Sequence, residues 1–158
     1  MMKIVILAAL ICICSGHLCL VSPAQRGTAN GINAAGAQDC YLITPPCGGR
    51  AQNLTSTTGL LAGKNFVVTF QKNIDHFNSA APGYFSVSLG ADETSLKELT
   101  RVPDTSDPSL TLYSATIAVP RTPGNQVLQV SYVTNKTPPL FNQCSDVIIV
   151  ENDVLPVG

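Results

Sequence analysis

Short segments rich in alternating or β-branched residues recur along the chain, and they limit the folds open to it. Residues 84–89, 110–119 and 127–133 alternate apolar and polar side chains, residues 64–71 are rich in β-branched and aromatic residues, and residues 146–150 are almost continuously apolar. Such segments predict β-strands. Turn clusters at residues 81–83, 103–108 and 120–124 separate them, and the chain contains 11 prolines. We therefore expect an all-β, antiparallel β-sandwich.

Two stretches depart from this pattern. Residues 92–100 (DETSLKELT) begin with acidic residues and place Leu96 and Leu99 three positions apart, which predicts one or two helical turns. Residues 22–58 are rich in Gly, Ala, Asn and Thr and contain two cysteines that follow a first one at Cys19. We expect a long N-terminal loop region here, tied down by disulfides rather than by a core of its own.

The first sixteen residues are typical of a secretory signal peptide. Lys3 precedes an apolar run of eleven residues, Ile4 to Cys14, which is too short to span a bilayer. Small residues at Cys14 and Gly16 predict cleavage after Gly16, whereas a cut after Ala24 lies far beyond the apolar run. The expected organisation is a signal peptide at 1–16 and one domain at 17–158, secreted to the extracellular space.

Charge and hydropathy narrow the expected partners. Loss of Lys3 with the signal changes the formal net charge from −1 to −2, which argues against nucleic acid as a partner. No later segment is apolar enough to predict a transmembrane helix, and the ending ENDVLPVG is not typical of a lipid-anchor signal. We expect a monomer.

The cysteines and sequons agree with export. Four cysteines remain after cleavage, at positions 19, 40, 47 and 144, and they predict two disulfides with three possible pairings. Zinc binding is disfavoured because no CxxC pair exists and the chain has two histidines. The sequons at Asn53 and Asn135 predict glycosylation sites on the surface.

The two histidines carry the chemistry that we expect. Cleavage would place His17 at the N-terminus, where the α-amine and the ring Nδ1 can chelate one metal ion. Because the pKa of an α-amine is ~8, a divalent metal can displace its proton at neutral pH. His76 would add a third nitrogen, and a flattened set of nitrogen ligands favours Cu(II). The sequence contains no GxSxG motif, no glycine-rich phosphate loop and no spare cysteine that would suggest another chemistry.

Four motifs in order resemble one family. They are HLCLVSPAQRG at 17–27, PCGG at 46–49, the isolated His76 and NQCSDV at 142–147. Together they resemble the copper acquisition factors related to lytic polysaccharide monooxygenases (LPMOs). The resemblance implies an immunoglobulin-like β-sandwich that holds one Cu(II) per chain in an N-terminal histidine brace. It also implies an aspartate ligand, which maps onto Asp146.

Alternatives to that ligand remain open. Asp146 could instead pair with Arg26, and Asp75 and Asp39 are the other candidate carboxylates. Phe141 would lie near the metal or, as we expect, pack in the core. The resemblance implies the pairing Cys47–Cys144, which leaves Cys19–Cys40.

Three functions are compatible with these features. The preferred one is copper capture, storage or transfer in copper homeostasis, without catalysis, with the copper ion and a membrane copper transporter as partners. The second is a copper-dependent polysaccharide monooxygenase. The chain has no Trp and only four Tyr, so it lacks an obvious flat aromatic platform for a crystalline glycan, which disfavours this function. The third is a metal-free recognition module.

Overall fold

The computed structural model describes residues 17–55, 57–137 and 139–151. The predicted signal peptide at 1–16 lies outside this part of the chain. The strands are β1 (His17–Ser22), β2 (Thr58–Leu61), β3 (Asn65–Ile74), β4 (Tyr84–Gly90), β5 (Lys97–Pro103), β6 (Thr111–Ala118), β7 (Gly124–Val133) and β8 (Leu140–Val150). One short 3₁₀ helix spans Gln38–Cys40.

The strands form two sheets that pack as a sandwich. The first has the order β1-β3-β6, and the second has the order β2-β8-β7-β4-β5. Neighbouring strands are antiparallel except for β2, which runs parallel to β8. The prediction of an all-β, immunoglobulin-like sandwich with a disulfide-tethered N-terminal loop region is confirmed.

The core lies between the sheets, where alternate residues of each strand point inward. Val68 and Phe70 of β3 and Leu18 of β1 are fully buried on one side, and Phe85 of β4 is fully buried on the other. The rings of Phe70 and Phe85 lie 5.0 Å apart between centroids. This contact joins the two sheets, because aromatic pairs at this distance pack favourably in addition to burying apolar area.

The helical prediction for residues 92–100 is wrong. Residues 92–95 form a turn in which the Asp92 carboxylate accepts hydrogen bonds from Thr94 and Ser95, and β5 begins at Lys97. Pairing with β4, in which Val87 is opposite Thr100, overrides the weak helical preference of this segment. The strands β1 and β2 were not predicted either.

Residues 23–55 and 57 form the expected irregular segment, which we call the covering segment because it lies along β8. The disulfides join Cys19 to Cys40 and Cys47 to Cys144, the pairing that the resemblance implied. The amide of Arg26 donates to the carbonyl of Cys144 at 2.7 Å, and the amide of Asn142 donates to the carbonyl of Leu42 at 2.8 Å. These bonds satisfy backbone groups of β8 ahead of its pairing with β2.

Side-chain amides complete the attachment. Gln143 Nε2 of β8 donates to the carbonyls of Leu18 and Asp39, at 2.8 and 3.0 Å, so one side chain links β8, β1 and the covering segment. Across the described residues, the chain forms no helix with the length and apolar character needed to cross a membrane.

Candidate metal centre

The structure places His17 and His76 at one end of the first sheet. His17 is the first residue of β1 and is opposite Ile74, the last residue of β3. His76 follows two residues later, beyond the end of that strand. Both side chains are buried, with 3% and 2% of their surface exposed.

A chain of aromatic contacts connects the two imidazoles. The ring of His17 lies 5.0 Å from that of Tyr41, and the ring of His76 lies 5.6 Å from that of Phe141. Tyr41 and Phe141 are themselves 6.0 Å apart, all measured between ring centroids. The two histidines that the sequence pointed to are therefore brought to one aromatic cluster, and Phe141 packs against His76 within the core.

The Cys19–Cys40 disulfide holds this cluster from the His17 side. Cys19 lies two residues after His17, and Tyr41 directly follows Cys40, so one covalent bond ties the start of β1 to the aromatic ring beside it. Tyr41 was missed in the sequence. Its position next to a cysteine predicted to bond near the N-terminus was the available signal.

Asp146 is not with the histidines. Its carboxylate accepts hydrogen bonds from Arg26 Nε and Nη2, at 3.0 and 2.8 Å, and from the amide of Asn53 at 2.7 Å. Asp146 lies five positions after Phe141 on β8, and side chains an odd number of positions apart on a strand point to opposite faces. The ligand role predicted for Asp146 is therefore not supported, and the ion pair with Arg26 is the arrangement observed.

The Arg26–Asp146 pair is a buried structural centre. Only 1% and 2% of these side chains are exposed, and Arg26 Nη1 also donates to Glu93 and to the carbonyl of Arg50. Burial alone would lower the Arg26 pKa, but the hydrogen bonds that Arg26 donates to Asp146 and Glu93 outweigh it and raise the pKa. This network fixes the covering segment to β8.

A polar cavity of about 160 Å³ lies beside this ion pair, lined among others by Gln25, Arg26, Asn53 and Asp146. None of its lining residues belongs to the aromatic cluster of the histidines. Each of the three guanidinium nitrogens of Arg26 already donates to a protein acceptor. We assign no ligand to this cavity, because its cation is already neutralised by partners within the protein.

The other two candidate carboxylates have different surroundings. Asp39 accepts hydrogen bonds from the Thr28 hydroxyl at 2.6 Å, from the Asn30 amide and from Arg50, so it organises the covering segment. Asp75 directly precedes His76, and its carboxylate pairs with Lys72 Nζ at 2.8 Å. Burial opposes ionisation of Asp75, but the hydrogen bond from Lys72 prevails and lowers its pKa.

Lys72 belongs to a buried polar network that the sequence did not predict. Its side chain is fully buried, and Nζ donates to Asp75, to Asp104 at 3.0 Å and to the carbonyl of Thr105 at 2.7 Å. Asp104 also accepts from the hydroxyl of Tyr132 at 2.6 Å. Burial and the bond to Asp104 raise the pKa of Tyr132 well above its usual range, so the phenol stays protonated.

The donor set fits copper better than it fits a carboxylate-rich metal site. Within the described part of the chain, no three His, Cys, Asp or Glu side chains are grouped as metal ligands. The histidine cluster therefore offers two imidazoles from its side chains, and cleavage before His17 would add the α-amine. Nitrogen donors of this kind suit copper.

The two sequons lie in loops, and both asparagines are exposed. The Asn53 side-chain oxygen accepts from the amide and hydroxyl of Thr55, whereas the Asn135 side-chain nitrogen donates to the carbonyl of Ala81 at 2.6 Å. Glycosylation of either remains a prediction.

The chain is similar to known proteins in its structure, whereas its sequence alone finds no match. No protein-family model and no curated protein sequence matches the chain. Among solved structures, a polysaccharide monooxygenase of the CBM33 type is similar with a TM-score of 0.62 at 16% identity, over 85% of this chain and 100% of that one. The catalytic domain of an LPMO from Listeria monocytogenes gives a TM-score of 0.59 at 14% identity, over 85% and 99%.

A third comparison is partial. The chain spans about half of a cellulose-active LPMO determined in complex with copper, 54% of that protein and 61% of this one, with a TM-score of 0.47 and 21% identity. The first two matches, which each cover 85% of this chain, carry the conclusion, and it concerns the fold. As the motifs of the sequence implied, this chain has the fold of the lytic polysaccharide monooxygenases.

Proposed function

We propose that this is a secreted copper-binding protein, which holds one Cu(II) ion through His17 and His76 and serves to capture, store or transfer copper. The α-amine of His17, freed by cleavage after Gly16, would complete the nitrogen ligands. These ligands would bind the copper ion tightly but reversibly, so the protein could exchange it with a membrane copper transporter. We expect the protein to act as a monomer.

One observation carries this proposal: the two histidines of the chain lie at the adjoining ends of β1 and β3 and contact one aromatic cluster. A chain with two histidines placed at random would rarely bring both there. The aromatic cluster and the Cys19–Cys40 disulfide restrict the movement of the ligands before the ion arrives, and such preorganisation lowers the cost of binding.

Isothermal titration of copper into the mature protein, with His17 as its first residue, tests the proposal. We expect tight 1:1 binding. His76→Ala should weaken it by more than the roughly 10- to 100-fold that loss of an outer-shell partner costs, because a direct ligand is removed. Equal affinity of wild type and His76→Ala would refute the assignment.

A second form of the protein tests the α-amine separately from the side chains. One alanine added ahead of His17 turns the α-amine into an amide and leaves both side chains in place. We expect affinity to fall as in His76→Ala, with an unchanged unfolding temperature of the metal-free protein. N-terminal sequencing of the secreted protein should give His17.

The second candidate function is a copper-dependent polysaccharide monooxygenase. The similarity in fold to a polysaccharide monooxygenase, over 85% of this chain, favours it. The aromatic residues favour copper capture, storage or transfer instead. All nine Phe and Tyr residues lie in the described part of the chain, and each is buried or half-buried. A flat glycan surface would have to be bound without an exposed aromatic platform.

Incubation of the copper-loaded protein with chitin or cellulose and a reductant distinguishes the two. Copper homeostasis predicts no oxidised oligosaccharides by mass spectrometry, with a known polysaccharide monooxygenase as the positive control. Release of oxidised products that is lost in His76→Ala would establish the enzyme instead.

A further inference from the structure

We propose that Tyr132, Asp104 and Lys72 form a positioning relay that fixes the backbone of His76 and thereby the direction of its imidazole. The importance of this relay for copper rests on the function proposed above. Its effect on His76 itself can be measured without any metal.

The relay begins where the strand ladder ends. His76 lies beyond the last residue of β3, so its position is not set by pairing within the first sheet. Instead its amide donates to the hydroxyl of Tyr132, at 3.2 Å, and Tyr132 belongs to β7 of the opposite sheet. The two rings meet edge-on at 6.2 Å between centroids. One tyrosine therefore holds both the backbone and the ring of His76.

Asp104 gives the tyrosine hydroxyl its orientation. The hydroxyl donates its proton to Asp104 Oδ2 at 2.6 Å, which leaves an oxygen lone pair to accept from the amide of His76. Both Tyr132 and the Asp104 side chain are essentially inaccessible to solvent. A hydroxyl that both donates and accepts inside the protein has no rotational freedom left, and bonds to a charged acceptor are the stronger ones.

Lys72 completes the relay from the first sheet. It neutralises Asp104 and Asp75 and also binds the carbonyl of Thr105, so it connects the segment of His76 to the loop that carries Asp104. On β3, Lys72 follows Val68 and Phe70 on the inward-facing side, where an apolar residue would pack as well. Because a buried ion pair adds little net stability compared with apolar packing, its presence here points to control of geometry.

Tyr132→Phe is the decisive variant, since it removes one oxygen and keeps the ring stacked on Phe85 at 4.4 Å. Tyr113→Phe is the matched control: it removes a hydroxyl from the same aromatic core, but that hydroxyl contacts Thr105 and Asp107. Three measurements apply to each: amide hydrogen exchange of His76 by NMR without metal, the copper dissociation constant, and the Cu(II) paramagnetic resonance spectrum.

In Tyr132→Phe we expect faster exchange at His76, a dissociation constant higher by about tenfold or more, and a changed Cu(II) spectrum. Tyr113→Phe should match the wild type in all three. Asp104→Asn, which keeps the side-chain shape, should change the same quantities in the same direction and serves if Tyr132→Phe does not fold.

The outcomes separate the two proposals. Unchanged exchange at His76 in Tyr132→Phe and in Asp104→Asn overturns the relay, whatever the copper data show. Faster exchange in a protein whose wild type binds no copper supports the relay as a device that positions His76 and refutes the proposed function. Faster exchange with unaltered copper affinity and spectrum overturns its role in copper binding.

Discussion

The protein contains two buried ion-pair networks, and each includes an aspartate that the sequence offered as a metal ligand. The anchor network joins Arg26 to Asp146 and Glu93, and it binds the covering segment to β8. The relay network joins Lys72 to Asp75 and Asp104, and it reaches His76 through Tyr132. In the first network, a charged pair holds the backbone of the covering segment in place. In the second, a similar pair is linked through Tyr132 to His76.

The difference shows that a buried carboxylate acquires its role from what its partner contacts. Asp146 touches Arg26 and the amide of Asn53, both in the covering segment, so changing it should alter stability. Asp104 accepts from the hydroxyl of Tyr132, and that hydroxyl in turn accepts from the amide of His76, so changing Asp104 should alter the surroundings of His76.

The largest effect should come from the disulfide beside the anchor network. Replacing Cys47 and Cys144 together with serine opens a cross-link between residues 97 positions apart. The chain-entropy model assigns such a loop roughly 4 to 5 kcal/mol of stability, measurable by urea unfolding. If this region is structural, copper affinity should stay constant wherever the variant is still folded.

A smaller loss is expected for Asp146→Asn, which leaves the buried Arg26 with Glu93 as its charged partner. Breaking a buried ion pair costs about 3 kcal/mol or more of stability. We expect a loss at this lower limit, because Glu93 still partly neutralises Arg26. Copper affinity, measured by titration, should change by less than about twofold, or under 0.4 kcal/mol. A loss comparable to that of His76→Ala would return Asp146 to the ligand set and end the contrast between the networks.

The smallest effect concerns pH and the exposed edge of the covering segment. Hydrogen bonds from Thr28 and Asn30 lower the pKa of Asp39 below its ordinary 3.8. The stability that its ionised form contributes is therefore complete above pH 3.8 and is lost as pH falls through the lower folded value. Asp39→Asn should flatten the acid limb of a plot of unfolding free energy against pH, and an unaltered limb would contradict this account.

Much of the fold was predictable because period-two patterns identify strands with one buried face. β4, β6 and β7 were predicted within a few residues, as were the extent of the covering segment and, through the resemblance, the disulfides. β2 escaped because its four residues carry no alternation. β5 was misassigned because a spacing of three between leucines also occurs in strands, and only pairing with β4 decided it.

The site was predicted in part. The sequence singled out His17 and His76, which the structure brings to one aromatic cluster. It did not show that Asp146 faces away from them, because residue order alone does not reveal which face of β8 is turned toward the histidines. The odd spacing between Phe141 and Asp146 contained that information once the strand was known. Lys72 was detectable too, because a lysine in register with Val68 and Phe70 must be buried with a counter-charge.

The placement of His17 as the first residue of β1 has a practical consequence for expression. A recombinant protein made with a start methionine or a purification tag ahead of this residue would keep its strands and both disulfides. Routine checks of purity and folding would pass it. If the proposed α-amine ligand is correct, such a protein would nevertheless bind copper more weakly, so material for a copper screen should come from a system that trims the chain to His17.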